Sequence, residues 1–153
     1  MAELAAFCTG SWATSAEADA GSGSWEAAAC RCLQDLEILE PDWLALLKQW
    51  EQAPELPGFA PQDPEKLERI AVYFAFRYLL KAVNDGDLLG RAQFCALGVL
   101  VTDRLSRFVG LPEALRLFSR EIEHNGDNLD TLLEQFWQTE GLSLSALLAA
   151  FGG

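Results

Sequence analysis

The residues of this chain best suited to chemistry fall in two short stretches, Arg77 to Asp87 and Arg120 to His124. Arg120 and His124 are four apart on a helical pattern and share a face. Arg120 could therefore fix an acid while His124, the single histidine, exchanges protons at a reference pKa of about 6.5. Glu121 and Glu123 lie between them. A histidine in the last turn of a helix also serves as a partner for the C-terminal dipole, which is the plainer reading. Arg77 and Lys81 share a stripe with Lys66, Arg69 and Tyr73 that could hold an anionic ligand or an acidic partner, against the plainer reading of a solvated helix face. Asp85 and Asp87 invite a calcium ion. The alternate acids and closing Glu of a calcium loop are absent, however, and a helix C-cap followed by an N-cap accounts for both residues.

Cys30-Arg31-Cys32 could offer thiolates to a metal. A structural zinc site wants two such pairs or histidines close by, whereas Cys8 and Cys95 are distant in the chain, so no metal site is expected. Gly21-Ser22-Gly23 has no preceding strand and no third glycine, which excludes a dinucleotide loop.

These residues sit in a chain of 153 residues, half of them hydrophobic, long enough for one domain with a real core. The formal charge of -12 disfavours nucleic acid and anionic membrane surfaces. The longest apolar run, Phe94 to Val101, is eight residues, too short to span a bilayer. With no Lys or Arg before Arg31, the basic region of a secretory signal is missing, so a cytoplasmic protein with reduced thiols is expected. Residues 1–65 carry 12 acids and two bases, a net of -10, whereas Lys66 to His124 carry nine bases and seven acids, a net of +2. The acidic front could therefore pack against the basic stripe.

The elements that must position the candidates are all helical. Residues 1–24, acidic and rich in Ala, Ser and Gly, read as flexible, and 25–153 as one helical domain. Apolar residues at three-and-four spacing predict a helix from Trp25 to Leu39, closed by Pro41, and a second through Trp43, Leu47 and Trp50. After the loop of Pro54, Pro57 and Pro61, Asp63-Pro64-Glu65 starts a long helix to Val83, apolar enough for the centre of a bundle. Gly86 and Asp87 then separate it from an antiparallel helix to Val109. A further helix through Leu115 and Ile122 stops at Asn125-Gly126, one capped by Asp127 or Asn128 runs to Phe136, and a last one spans Ser143 to Phe151. No period-two pattern occurs, so the expected fold is an all-α single-domain bundle of about seven helices. Most of the five Trp are expected in its core, with exposed ones as partner anchors.

Tyr73 to Arg91, reading YFAFRYLLKAVNDGDLLGR, and Ser119 to His124, reading SREIEH, resemble the C-terminal region of the flagellin lysine-N-methylase (FliB) family. With the helix between them and Asn128-Leu129 after them, the resemblance covers about residues 65–138. That family is thought to methylate flagellin lysines with S-adenosylmethionine and carries a cysteine-rich cluster in its N-terminal half. This chain has only Cys30 and Cys32 close together. The resemblance thus implies a helical module that is catalytically incomplete alone, with flagellin or a cysteine-cluster chain as its partner; the alternative is a non-enzymatic protein-interaction domain. If the two blocks meet, Arg77, Lys81, Asp85, Asp87, Arg120, Glu121, Glu123 and His124 would form one polar site linking three helices, or a set of ion pairs fixing helix register.

Overall fold

The computed structural model describes residues 24–53, 61 and 63–152. The segment read as flexible, except for Ser24, and most of the proline loop lie outside the described residues, as does Cys8. Seven helices of eight residues or more make up the rest: α1 (Trp25–Asp35), α2 (Pro41–Gln52), α3 (Pro64–Tyr78), α4 (Leu88–Val109), α5 (Leu111–Phe118), α6 (Gly126–Gln135) and α7 (Leu144–Gly152). No strand occurs among the described residues, so the fold is an all-α bundle. None of the described helices is long and apolar enough to cross a membrane.

Local chemistry explains most boundaries. Ser24 accepts from the Ala27 amide at the start of α1, Asp63 from Lys66 at the start of α3, and Asp87 from Gly90 at the start of α4. Gly86 adopts the left-handed conformation at φ 73° that closes the preceding turn. Three boundaries differ from expectation. The first helix ends at Asp35 rather than Leu39, because residues 36–40 are extended and bonded to distant side chains described below. The long third helix stops at Tyr78 and continues as a 3-10 turn (Leu79–Lys81) and one α-turn (Ala82–Asp85). Asn125, not Asp127 or Asn128, caps α6.

The centre of the bundle is α4, not α3. Fourteen consecutive residues from Gln93 to Ser106 are buried, and α2, α3, α5, α6 and α7 all pack on this helix. Polar members of that run are bonded internally: Gln93 donates to the Leu142 carbonyl at 3.0 Å, Thr102 to the Gly98 carbonyl at 2.7 Å, and Arg104 to Glu26 at 2.8 Å. An aromatic cluster joins the layers. Phe74 of α3 meets Phe94 of α4 and Phe118 of α5 edge-on at 6.1 and 5.8 Å, and Phe118 meets Trp43 of α2 at 6.4 Å. Trp43 and Trp50 are core residues, whereas Trp137 is 71% exposed.

Candidate functional site

The candidate residues from Arg120 to His124 are positioned by a feature that no periodicity announced. After α5 the chain widens into a π-turn, Ser119–Glu123, closed by the His124 amide donating to the Ser119 carbonyl at 2.9 Å. Two residues apart on this turn, Glu121 and Glu123 point to nearly opposite sides. Both carboxylates are withdrawn from water: Glu121 is fully buried, and the Glu123 side chain is 3% exposed.

Glu123 faces α3. The hydroxyls of Tyr78 and Tyr73 donate to its Oε1 at 2.7 and 3.0 Å, and Arg77 Nε lies 3.8 Å away. The Arg77 guanidinium also sits 5.9 and 5.7 Å from the Tyr73 and Tyr78 ring centroids, and Lys81 Nζ 5.3 Å from that of Tyr78. This is where the segments Tyr73 to Arg91 and Ser119 to His124 meet.

Glu121 faces the loop between α1 and α2. Its oxygens accept from the Leu39 and Glu40 amides at 2.9 and 2.6 Å. Asn128 completes that anchor, accepting from the Glu37 amide at 3.0 Å and donating to the Glu37 and Glu121 carbonyls at 2.8 and 2.9 Å. Arg120 Nε reaches Glu40 at 2.8 Å beside Arg116, and these two guanidiniums hold the Glu40 carboxyl below its usual range, the Arg116 hydrogen bond contributing most.

Asp85 and Asp87 form a third set. Asp85 accepts from the Asp87 amide at 2.9 Å and pairs with Arg91 at 2.7 Å, which keeps its carboxyl below the ordinary value. Asp87 caps α4 through Gly90. No hydrogen bond or ion pair among the described residues joins one set to another, and the exposed His124 side chain enters none of them. Seven of the eight residues are therefore distributed over three sets rather than one pocket, and His124 stands outside them. Tyr78, Asn128, Glu40 and Arg91, which complete these sets, were not singled out as site residues by spacing. The one available signal was that the chain's only two tyrosines are five residues apart beside Arg77.

Among the described residues the acidic front pairs with the second region through Glu26 with Arg104 and Glu40 with Arg116 and Arg120, and it meets the basic stripe only at its own last residues, Asp63 and Glu65. Stripe members Lys66 and Arg69 pair locally with Asp63 and Glu65. No group of three or more His, Cys, Asp or Glu able to hold a metal occurs among the described residues. Cys30 and Cys32 are buried free thiols; burial, followed by the charges of Glu51 and Glu26, pushes Cys30 up to about 12, and burial raises Cys32 also.

A pH prediction follows from the tyrosine pair. Burial first, and then the Glu123 carboxylate, raise both phenols above the ordinary 10.0, Tyr78 far above it. A raised folded pKa contributes stability that is fully present below the unfolded value and lost as pH rises through the folded one. Near-ultraviolet titration of the folded chain should therefore show both tyrosinates forming only above pH 10.0, with stability falling over that range. Glu123→Gln should bring both midpoints down; unchanged midpoints would show that the carboxylate has no part in the shift.

One surface feature accompanies these sets. Tyr73, Phe76, Leu80 and Val83 follow one another at helical spacing and are 43%, 55%, 62% and 86% exposed, and Leu88 and Leu89 continue the patch at 61% and 44%. No family model, curated protein or solved structure matches the chain.

Proposed function

We propose that this chain is a helical protein-interaction module whose docking surface is the outer face of residues 73–89. The observation that carries this reading is concentration: six of the nine large exposed hydrophobic side chains among the described residues fall within those 17 positions. Isolated exposed apolar residues are ordinary, but a contiguous patch edged by charge marks a binding face. Arg77 and Lys81, both exposed residues that also meet tyrosine rings, are interleaved with the apolar residues. The complementary partner is an amphipathic helix with apolar residues at three-and-four spacing and acids along its flanks.

A labelled synthetic helix of that pattern, with Leu and Phe anchors flanked by Glu, tests the proposal by fluorescence anisotropy. Leu80→Asp and Lys81→Glu should each weaken binding by about tenfold while leaving the melting temperature nearly unchanged, because both side chains are exposed. Equal binding of a peptide with Lys in place of Glu, or indifference to Leu80→Asp, would sink it.

A methylase-related reading has one observation in its favour, the meeting of the two family-like blocks at Glu123. On that reading Arg77, Lys81 and their neighbours hold substrate or cofactor, and another chain supplies the cysteine cluster. S-adenosylmethionine added in place of the peptide should then raise the melting temperature; no rise at saturating concentration removes this reading.

A further inference from the structure

We propose that the docking face of residues 73–89 is regulated in cis by the chain's own first residues, with Leu4 and Phe7 laid among its apolar side chains and Glu3 beside Arg77 and Lys81. This rests on the reading of that face as a docking surface and names the competitor that a partner helix has to displace. Spacing, charge and reach match the segment to the face.

The face takes a helix with apolar residues at three-and-four spacing and acids on its flanks. Ala2-Glu3-Leu4-Ala5-Ala6-Phe7-Cys8 reads that way: Leu4, Phe7 and Cys8 stand at i, i+3 and i+4, with Glu3 in the adjoining position. Its other residues, Ala2, Ala5 and Ala6, are the strongest helix formers. A helix this short is marginal alone in water, so an apolar surface has to supply what its own hydrogen bonds do not. Tyr73, Phe76, Leu80 and Val83 offer that surface, at 43% to 86% exposure.

Residues 1–23 carry three acids, Glu3, Glu17 and Asp19, and no Lys or Arg. On α3 and the turn after it the cations are not equivalent. Lys66 and Arg69 are already paired with Asp63 and Glu65, whereas Lys81 enters no ion pair among the described residues and Arg77 stands 3.8 Å from Glu123. An acidic segment is therefore drawn toward residues 77–81 rather than toward the start of α3, and it is there that the exposed apolar side chains lie.

The tether is long enough. Glu26 is fixed on Arg104, which places Ser24, the N-cap of α1, beside the later half of α4, while the face adjoins the start of α4 at Leu88 and Leu89. Residues 88 and 104 are about 24 Å apart along the helix at about 1.5 Å per residue. The chain from Phe7 to Ser24 extends to about 55 Å at about 3.3 Å per residue, twice that distance. Attachment of this kind gives an effective concentration in the millimolar range, so a contact of only millimolar strength covers the face for much of the time. The apparent affinity for a partner helix then falls by the fraction of the face left free.

The anisotropy titration with the Leu, Phe and Glu helix, run on the full chain and on its Leu4→Ser/Phe7→Ser variant, tests this. The variant should bind the peptide about threefold more tightly, the factor for a face covered two-thirds of the time, and Glu3→Lys should shift affinity in the same direction. Heteronuclear correlation spectra of the two chains without peptide should differ at residues 73–89 and coincide over α6. Equal peptide affinity for both chains, or spectra that coincide at residues 73–89, overturns the cis contact and leaves the docking reading standing. A peptide that binds neither chain removes the docking reading, and this proposal with it.

Discussion

Replacing Phe74 with alanine should lower the stability of the folded chain by about 3–5 kcal/mol, the range for removing a buried aromatic ring. Phe74 is fully buried and its ring is in contact with four others: Tyr73, Tyr78, Phe94 and Phe118, at centroid distances of 5.4 to 6.1 Å. These partners belong to α3, α4 and α5, so the vacated volume lies where three helices meet and no single side chain can move to fill it. The close approach of α3 to α4 adds to the cost. A Cβ built on Gly98 would lie 3.1 Å from the Phe74 ring, which shows that the glycine and the ring are fitted to each other. For a chain of this size each kcal/mol lowers the melting temperature by roughly 2–4 °C, so a drop of about 10 °C is expected. Urea denaturation gives the free energy directly. Phe74→Leu keeps most of the volume and should lose less than half as much; a loss below about 1 kcal/mol for the alanine variant would mean that the helices close over the gap. The same substitution should weaken binding at the outer face of α3, since Tyr73 and Phe76 flank the lost ring in sequence and are presented by the same helix.

The parts of this fold that were legible in the sequence are those set by neighbours within a turn. Asp63-Pro64, Gly86 and Asp87 cap because a side-chain oxygen or a missing Cβ serves a backbone group three residues away or nearer. The end of α1 was not legible. Residues Glu37 to Glu40 are held extended by Glu121 and Asn128, more than 80 positions along the chain, and pairing of that kind leaves no local pattern. The central helix was misplaced for a related reason. Gln93, Thr102, Asp103, Arg104 and Ser106 make α4 read as partly solvated, yet all are buried: Gln93 and Arg104 through hydrogen bonds that only the fold supplies, Thr102 and Ser106 by donating to carbonyls of their own helix. The candidate site was legible as residue types but not as geometry. Glu121 and Glu123, two apart, lie on opposite sides as residues at that spacing do on any helix, and the elements each one meets, the loop before α2 and helix α3, are set by the fold alone.

The second large effect is expected at Glu121. Helix α2 begins with Pro41, and its N-cap residue Glu40 makes no side-chain cap of its own. The carboxylate that accepts the Leu39 and Glu40 amides at this helix start instead comes from the π-turn across the bundle, in a position with no exposure to solvent. Hydrogen bonds to a charged group contribute about 1.5–3 kcal/mol each, more than neutral ones, and solvent does not replace them at a buried site. Glu121→Ala deletes both bonds and leaves two amides facing a void, so a loss of about 3 kcal/mol is expected, less than the sum of two such bonds because the loop can relax toward water. Glu121→Gln is the sharper variant. It keeps the volume and one acceptor oxygen, but turns an NH2 toward one of the two amides, so it should recover only part of the loss. Asn128→Ala loosens the same loop from its other end, at Glu37. Because Glu121 and Asn128 restrain one short segment, the double variant should cost less than the two single losses added together. Strict additivity would show that the halves of the loop are held independently. If Glu121→Ala costs under about 1 kcal/mol, the carboxylate is a passenger, and the extended path of residues 36–40 is set by Asn128 and the packing of Leu36 alone.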